Sequence, residues 1–130
     1  MKLIVAYDGS NASERALEHA KNRCRLFSAK LYVARSLMGG DETPAEDIEK
    51  ARQELDHVEN ILQDEGVPYE THLLVRGLGA GEDIVQFAEE IKADEIIIGI
   101  HKRSKVGKLL FGSTAQHIIL RAPCPVVSVQ

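Results

Sequence analysis

Residues 99–116, GIHKRSKVGKLLFGSTAQ, carry four cations (Lys102, Arg103, Lys105 and Lys108) and no carboxylate. Such a stretch suits an anion. Its Gly112-Ser113 pair suits the start of a helix, where unpaired backbone N–H groups and the helix dipole attract phosphate. Ser113 has a second reading, as the cap of its own helix; the cations upstream favour phosphate, with at least two of the four left to solvent. His101 is either a donor to that phosphate or a solvated surface histidine. Asp8, in AYDGS, can accept a ribose hydroxyl or hold a metal bound to phosphate; the alternative is an Asx turn ahead of Gly9.

Other chemistry is poorly supplied. There is no nucleophile elbow, no carboxylate pair near the basic stretch and no metal-ligand spacing among His19, His57, His72 and His117. Gly77-Leu78-Gly79-Ala80-Gly81 imitates a dinucleotide fingerprint, but the third glycine falls on Glu82 and the segment follows the third predicted strand, so it is expected to be a flexible turn. Gly107-Lys108 is followed by Leu109, which excludes a P-loop.

These residues need elements to position them. KLIVAY (2–7) is a short apolar run that reads as a strand. Ala16, Leu17, Ala20, Cys24 and Phe27 recur at helical spacing, so 11–27 is expected to be a helix. Ser10 or Asn11 is its cap, and Asn11 with Glu14 has capping-box spacing. A strand over 29–37 follows, then a helix from about Pro44 to Gly66 with Ile48, Ala51, Leu55, Val58 and Leu62 on one stripe. VPYETHLLV (67–75) is strand three, and Ile84, Phe87, Ala88 and Ile91 mark the next helix. DEIIIGI is strand four, the most apolar and expected to be central. A helix over 113–121 and the strand CPVVSVQ close the chain. Strands separated by helices imply βαβ units with a parallel sheet covered on both faces. The expected fold is a single α/β domain over 1–130, a doubly wound five-stranded parallel sheet of order 3-2-1-4-5. Ligands in such sheets bind outside the carboxyl ends of the strands flanking the reversal, here strands 1 and 4. The basic stretch falls at that place on grounds independent of its charge.

Composition narrows the ligand. All 20 Asp and Glu lie in residues 1–95, so the net charge of −4 conceals a carboxyl-terminal part with five cations and no anion. A local basic pocket on an acidic chain suits a small anion better than a nucleic-acid duplex, and the absence of Trp weakens a case for base stacking on single strands. No apolar run approaches a membrane span or a signal-peptide core, so a cytoplasmic location without membrane partners is expected. Cys24 and Cys124 read as buried free thiols.

The βαβ order, AYDGS after strand 1, and IIIGIHKRSKVGKLLFGSTAQHIILRAPCPVVSV resemble the universal stress protein family over essentially the whole chain. ATP-binding members of that family carry Gly-x2-Gly-x9-Gly-Ser/Thr after strand 4. In this chain Gly99 takes the first place, Gly112-Ser113 the last, and Lys102 stands where the second glycine belongs. A lysine there loses the backbone freedom of glycine and adds a charge beside phosphate. The resemblance implies that Ala6, Asp8 and Ser36 line the adenosine end, that Gly99 lets backbone approach the ligand, and that Gly112, Ser113 and Thr114 hold phosphates. Lys102, Arg103 and His101 join them on the charge argument. The resemblance also implies a two-fold dimer, consistent with an apolar, uncharged last strand (124–130) that would otherwise be a bare sheet edge.

The expectation is a non-enzymatic dimeric stress-response module holding ATP, ADP or AMP, with Mg²⁺ optional. Two alternatives stand beside it: a weak ATPase or self-phosphorylating protein using Ser113, and a nucleotide-free dimer whose pocket drifted at Lys102.

Overall fold

The computed structural model describes residues 1–101 and 112–130. The order of elements is β1 (Lys2–Ala6), α1 (Asn11–Phe27), β2 (Lys30–Ser36), α2 (Ala45–Asp64), β3 (Tyr69–Leu74), α3 (Ala80–Ile91), β4 (Glu95–Gly99), α4 (Ser113–Arg121) and β5 (Val126–Val129), with one 3-10 turn at Gly40–Glu42. All strand pairs are parallel and the sheet order is β3-β2-β1-β4-β5, as the alternation of elements requires.

Strand side chains alternate between two faces, so each buried strand feeds two cores. Leu3, Val5, Leu31, Val33 and Ile97 pack with Leu17, Leu55, Val58 and Leu62 of α1 and α2. Ile4, Tyr32, Ala34, Ile96 and Ile98 pack with Ile84, Phe87, Ala88 and Ile118 of α3 and α4. Each fully buried Leu or Ile contributes roughly 1.5–3 kcal/mol relative to exposure, which is why these runs tolerate few polar residues.

Two expectations need refinement, whereas DEIIIGI is interior as expected, beside β1 in the middle of the sheet. Apolarity reports burial on both faces, which β1 and β4 share. The cap of α1 is Ser10, not Asn11: Ser10 Oγ accepts from the Ser13 backbone N–H at 3.2 Å, and Ser13 Oγ donates to the Ser10 carbonyl at 2.9 Å. Glu14 is thereby free of any box role and accepts from the Tyr7 hydroxyl. The Gly77–Gly81 segment is more than a turn, because a Cβ on Gly81 would lie 2.7 Å from His117 Cβ and 3.1 Å from the Thr114 carbonyl. That glycine lets α3 and α4 approach closely. The strands are one or two residues shorter at their ends than the apolar runs, although inter-strand hydrogen bonds still reach Tyr7, Leu37 and Ile100.

Candidate functional site

The loop after β1 and the segment after β4 open onto one pocket of about 280 Å³ at the reversal of strand order. Eight predicted residues line it: Ala6, Asp8, Ser36, Gly99, His101, Gly112, Ser113 and Thr114. Lys102 and Arg103, with the other two cations of the basic stretch, fall in 102–111, outside the described residues. Tyr7, Ser10, Ser13, Ala34, Ala80, Ile84, Ile98, Ile100, Ala115 and Ile118 complete the wall and were not anticipated. Chain order alone decides this convergence, because strands 1 and 4 are neighbours only in a sheet that winds both ways.

Three helix starts face the pocket, and they differ in charge: α1 enters beside Ser10 and Ser13 with Glu14 in its first turn. α3 enters at Ala80 with Glu82 and Asp83 in its first turn, whereas α4 enters at Ser113 with no acidic residue in its first turn. Negative side chains offset the positive end of a helix, so the α4 end is the one left able to receive an anion. Its N-cap is Gly112, in an extended conformation with no side-chain capping bond. Ser113 is therefore the first helical residue and not the cap, which removes the bland reading of its hydroxyl. Gly112, Ser113 and Thr114 are all exposed.

Asp8 lies in the loop after β1, the strand between β4 and β2. Its Oδ1 accepts from the Ser10 backbone N–H at 2.9 Å, the Asx turn that the sequence allowed. Burial works against ionisation of Asp8, but the hydrogen bonds from Ser10 and Ser13 and the charge of Arg35 outweigh it and hold the carboxyl below its ordinary value. The carboxylate is thus charged and oriented without help from a ligand. Behind it, burial first and Glu14 and Glu54 next push the Tyr7 hydroxyl upward, so Tyr7 stays a neutral donor to Glu14. Ser36 donates to Asp83 Oδ2 at 2.7 Å. The side between these polar ends is apolar, built by Ala34, Ile84, Ile98 and Ile118.

Gly99 lines the pocket and has a second, steric job. A Cβ there would stand 2.1 Å from the Ala12 carbonyl oxygen and 2.4 Å from its carbon. Glycine at this place admits the backbone of α1. Among the described residues no group of three or more His, Cys, Asp or Glu is placed to hold a metal. Asp8 is the one carboxylate among the lining residues, and Mg²⁺ in phosphate sites commonly takes one or two carboxylates plus the phosphates themselves. The donor set therefore fits a metal that arrives with phosphate rather than a resident ion. Both cysteines are free thiols, Cys24 buried and Cys124 half-buried. No helix among the described residues is long and apolar enough to cross a membrane.

The profile of the universal stress protein family matches residues 1–130. A universal stress protein of Methanocaldococcus jannaschii is 34% identical, covering 99% of this chain and 81% of its own length. The structure of a universal stress protein from Archaeoglobus fulgidus superposes with a TM-score of 0.89 at 45% identity, covering 100% of this chain and 98% of that one. A second Archaeoglobus fulgidus structure, a universal stress protein in complex with dAMP, gives 0.86 at 40% identity with the same coverage. A sheet of this order, a pocket at its reversal and relatives that match end to end agree: the chain belongs to the universal stress protein family.

Proposed function

We propose that this protein is a stress-response binding module that holds an adenine nucleotide in the pocket between the ends of β1 and β4. The observation that carries the reading is the polarity of the pocket. An uncapped, acid-free helix start stands at one end, an apolar wall with polar Ser36 at the other, and the ionised Asp8 lies between them. Phosphate belongs at Gly112, Ser113 and Thr114, where backbone N–H groups and the dipole receive it. The sugar belongs beside Asp8, whose carboxylate accepts from hydroxyls, and the base belongs against Ala34 and Ile84. The dAMP complex of the Archaeoglobus fulgidus relative supports this choice of ligand class. Lys102 and Arg103 add positive charge to the phosphate side by their place in the sequence. ATP, ADP and AMP share the groups that the pocket addresses, and Mg²⁺ would accompany the longer phosphates with Asp8 as its protein ligand.

Binding, not turnover, is the role. Ser113, with Thr114 beside it, offers the hydroxyl at the phosphate end that a self-phosphorylation would use. Labelling with radioactive ATP in the parent and in Ser113→Ala decides it: equal background in both is the expected result, and label lost in the variant would make the protein an autokinase. Titration calorimetry with AMP and ATP tests the main reading. Micromolar to sub-millimolar affinity, at least tenfold weaker in Asp8→Ala, is expected; no heat with any adenine nucleotide would leave only an interaction module.

Assembly is proposed through β5. It is an edge strand with no charged side chain, and Ile119 and Leu120 of the preceding helix are 42% and 77% exposed. Pairing of two copies along β5 would cover the open edge. Light scattering at micromolar concentration should give twice the chain mass of 14.3 kDa, and a monomer mass would remove the dimer.

A further inference from the structure

Ser36 enters the pocket with one side already engaged. Its hydroxyl donates to Asp83 Oδ2 at 2.7 Å, and Asp83 is fully buried. The other carboxylate oxygen, Oδ1, receives Arg76 Nε at 2.6 Å, and Arg76 Nη1 also reaches Glu90 at 2.6 Å. A carboxylate held by a guanidinium accepts and has no proton to give. The single hydroxyl hydrogen of Ser36 is therefore committed to Asp83. Toward the pocket Ser36 Oγ offers lone pairs only.

Position decides which ligand group meets that oxygen. With phosphate at the start of α4, next to β4, the ligand runs across β1 to β2, two strand spacings or roughly 9.6 Å away. The sugar falls at Asp8 on the way, so the group that reaches Ser36 is the far edge of the base. We propose that Asp83, acting through Ser36, is a positioning residue that selects a purine bearing an amino group at its six position over a six-oxo purine. This rests on the nucleotide reading above. An amino group donates to the waiting lone pair; a carbonyl at the same place sets two acceptors against each other and leaves both unpaired, a costly arrangement in a half-buried site. The bland alternative is that Arg76, Asp83 and Ser36 only fasten α3 to the end of β2. A fastening alone would affect stability and leave base preference unchanged.

Calorimetric affinities for AMP and IMP, taken at one salt concentration, separate the two. The parent should bind AMP at least tenfold more tightly than IMP. Ser36→Ala should bring that ratio below threefold, chiefly by weakening AMP. Asp83→Asn, whose amide can donate to Ser36 Oγ and release its hydroxyl to turn, should narrow the ratio by strengthening IMP. If Asp83→Asn does not fold, Ser36→Ala decides alone. A parent that binds AMP and IMP within threefold of each other, or a Ser36→Ala protein that keeps the tenfold preference, overturns the proposal while leaving nucleotide binding intact. A parent that binds neither nucleotide overturns both.

Discussion

Gly99→Ala tests the reading of the junction between β4 and α1. The added Cβ would lie 2.1 Å from the Ala12 carbonyl oxygen, 2.4 Å from the carbonyl carbon and 3.0 Å from Ala12 Cβ. Restoring an ordinary contact requires an outward movement of roughly 1.3 Å. The obstacle is helix backbone, not the end of a flexible side chain, and it sits in the first turn of a helix capped by Ser10. Overpacking costs about 1–3 kcal/mol; a backbone collision places this case at the upper end, about 3 kcal/mol. With an unfolding entropy of ~2.1 cal/mol/K per residue, a chain of 130 residues should melt about 11 °C lower. Calorimetric melts of Gly99→Ala beside Gly79→Ala provide the comparison. Gly79 has negative φ and nothing within 4 Å of a built Cβ, so its variant should lose less than about 4 °C. Equal melting of the two variants would refute the steric account and leave Gly99 its place in the pocket wall alone. The same displacement would carry Ser10 and Ser13 away from Asp8, so nucleotide affinity should fall with stability in Gly99→Ala and not in Gly79→Ala.

Ser10→Ala removes the one side-chain cap bond at α1 and should cost about 1 kcal/mol in urea unfolding; no change would mean that the Ser13 N–H finds water equally well. Glu95→Gln weakens the two-pronged contact of Arg23, whose Nε and Nη2 reach the carboxylate at 2.6 and 2.8 Å. With Arg23 one-quarter exposed, solvent screens the loss to roughly 2 kcal/mol, read from the denaturation midpoint. Burial pushes the Cys24 thiol up to about 11 and, less far, raises that of Cys124. Iodoacetamide at pH 8.5 should therefore alkylate Cys124 first and reach Cys24 only in denaturant, as peptide mass spectrometry would show. An unfolded thiol ionises near pH 8.5 while folded Cys24 keeps its proton to about 11. Its contribution is present below the unfolded value and is lost as pH rises between the two, so the melting temperature should fall across that window; the Cys24→Ser protein should lack this part of the slope.

What the chain discloses of itself follows the range of each interaction. Helix α1 reads correctly at both ends because periodic Ala and Leu residues and a cap lie within a few positions of one another. Ser10 and Asn11 are both good caps, and only the φ and ψ of Ser10 choose between them. Strand order is legible because crossover handedness leaves one simple winding for alternating strands and helices, and the same rule gathers eight site residues into one pocket. Its polar connections are a different matter. Ser36 and Asp83 are 47 positions apart, and Gly99 meets Ala12 across 87. Nothing in the spacing of a serine on β2 or an aspartate on the first turn of α3 signals that one hydroxyl will be used up by the other. A motif glycine shows that small size is required, not which backbone requires it. The placement of the pocket is thus a matter of chain order, while the polar contacts inside it are set by pairs of side chains that meet only once the sheet has closed.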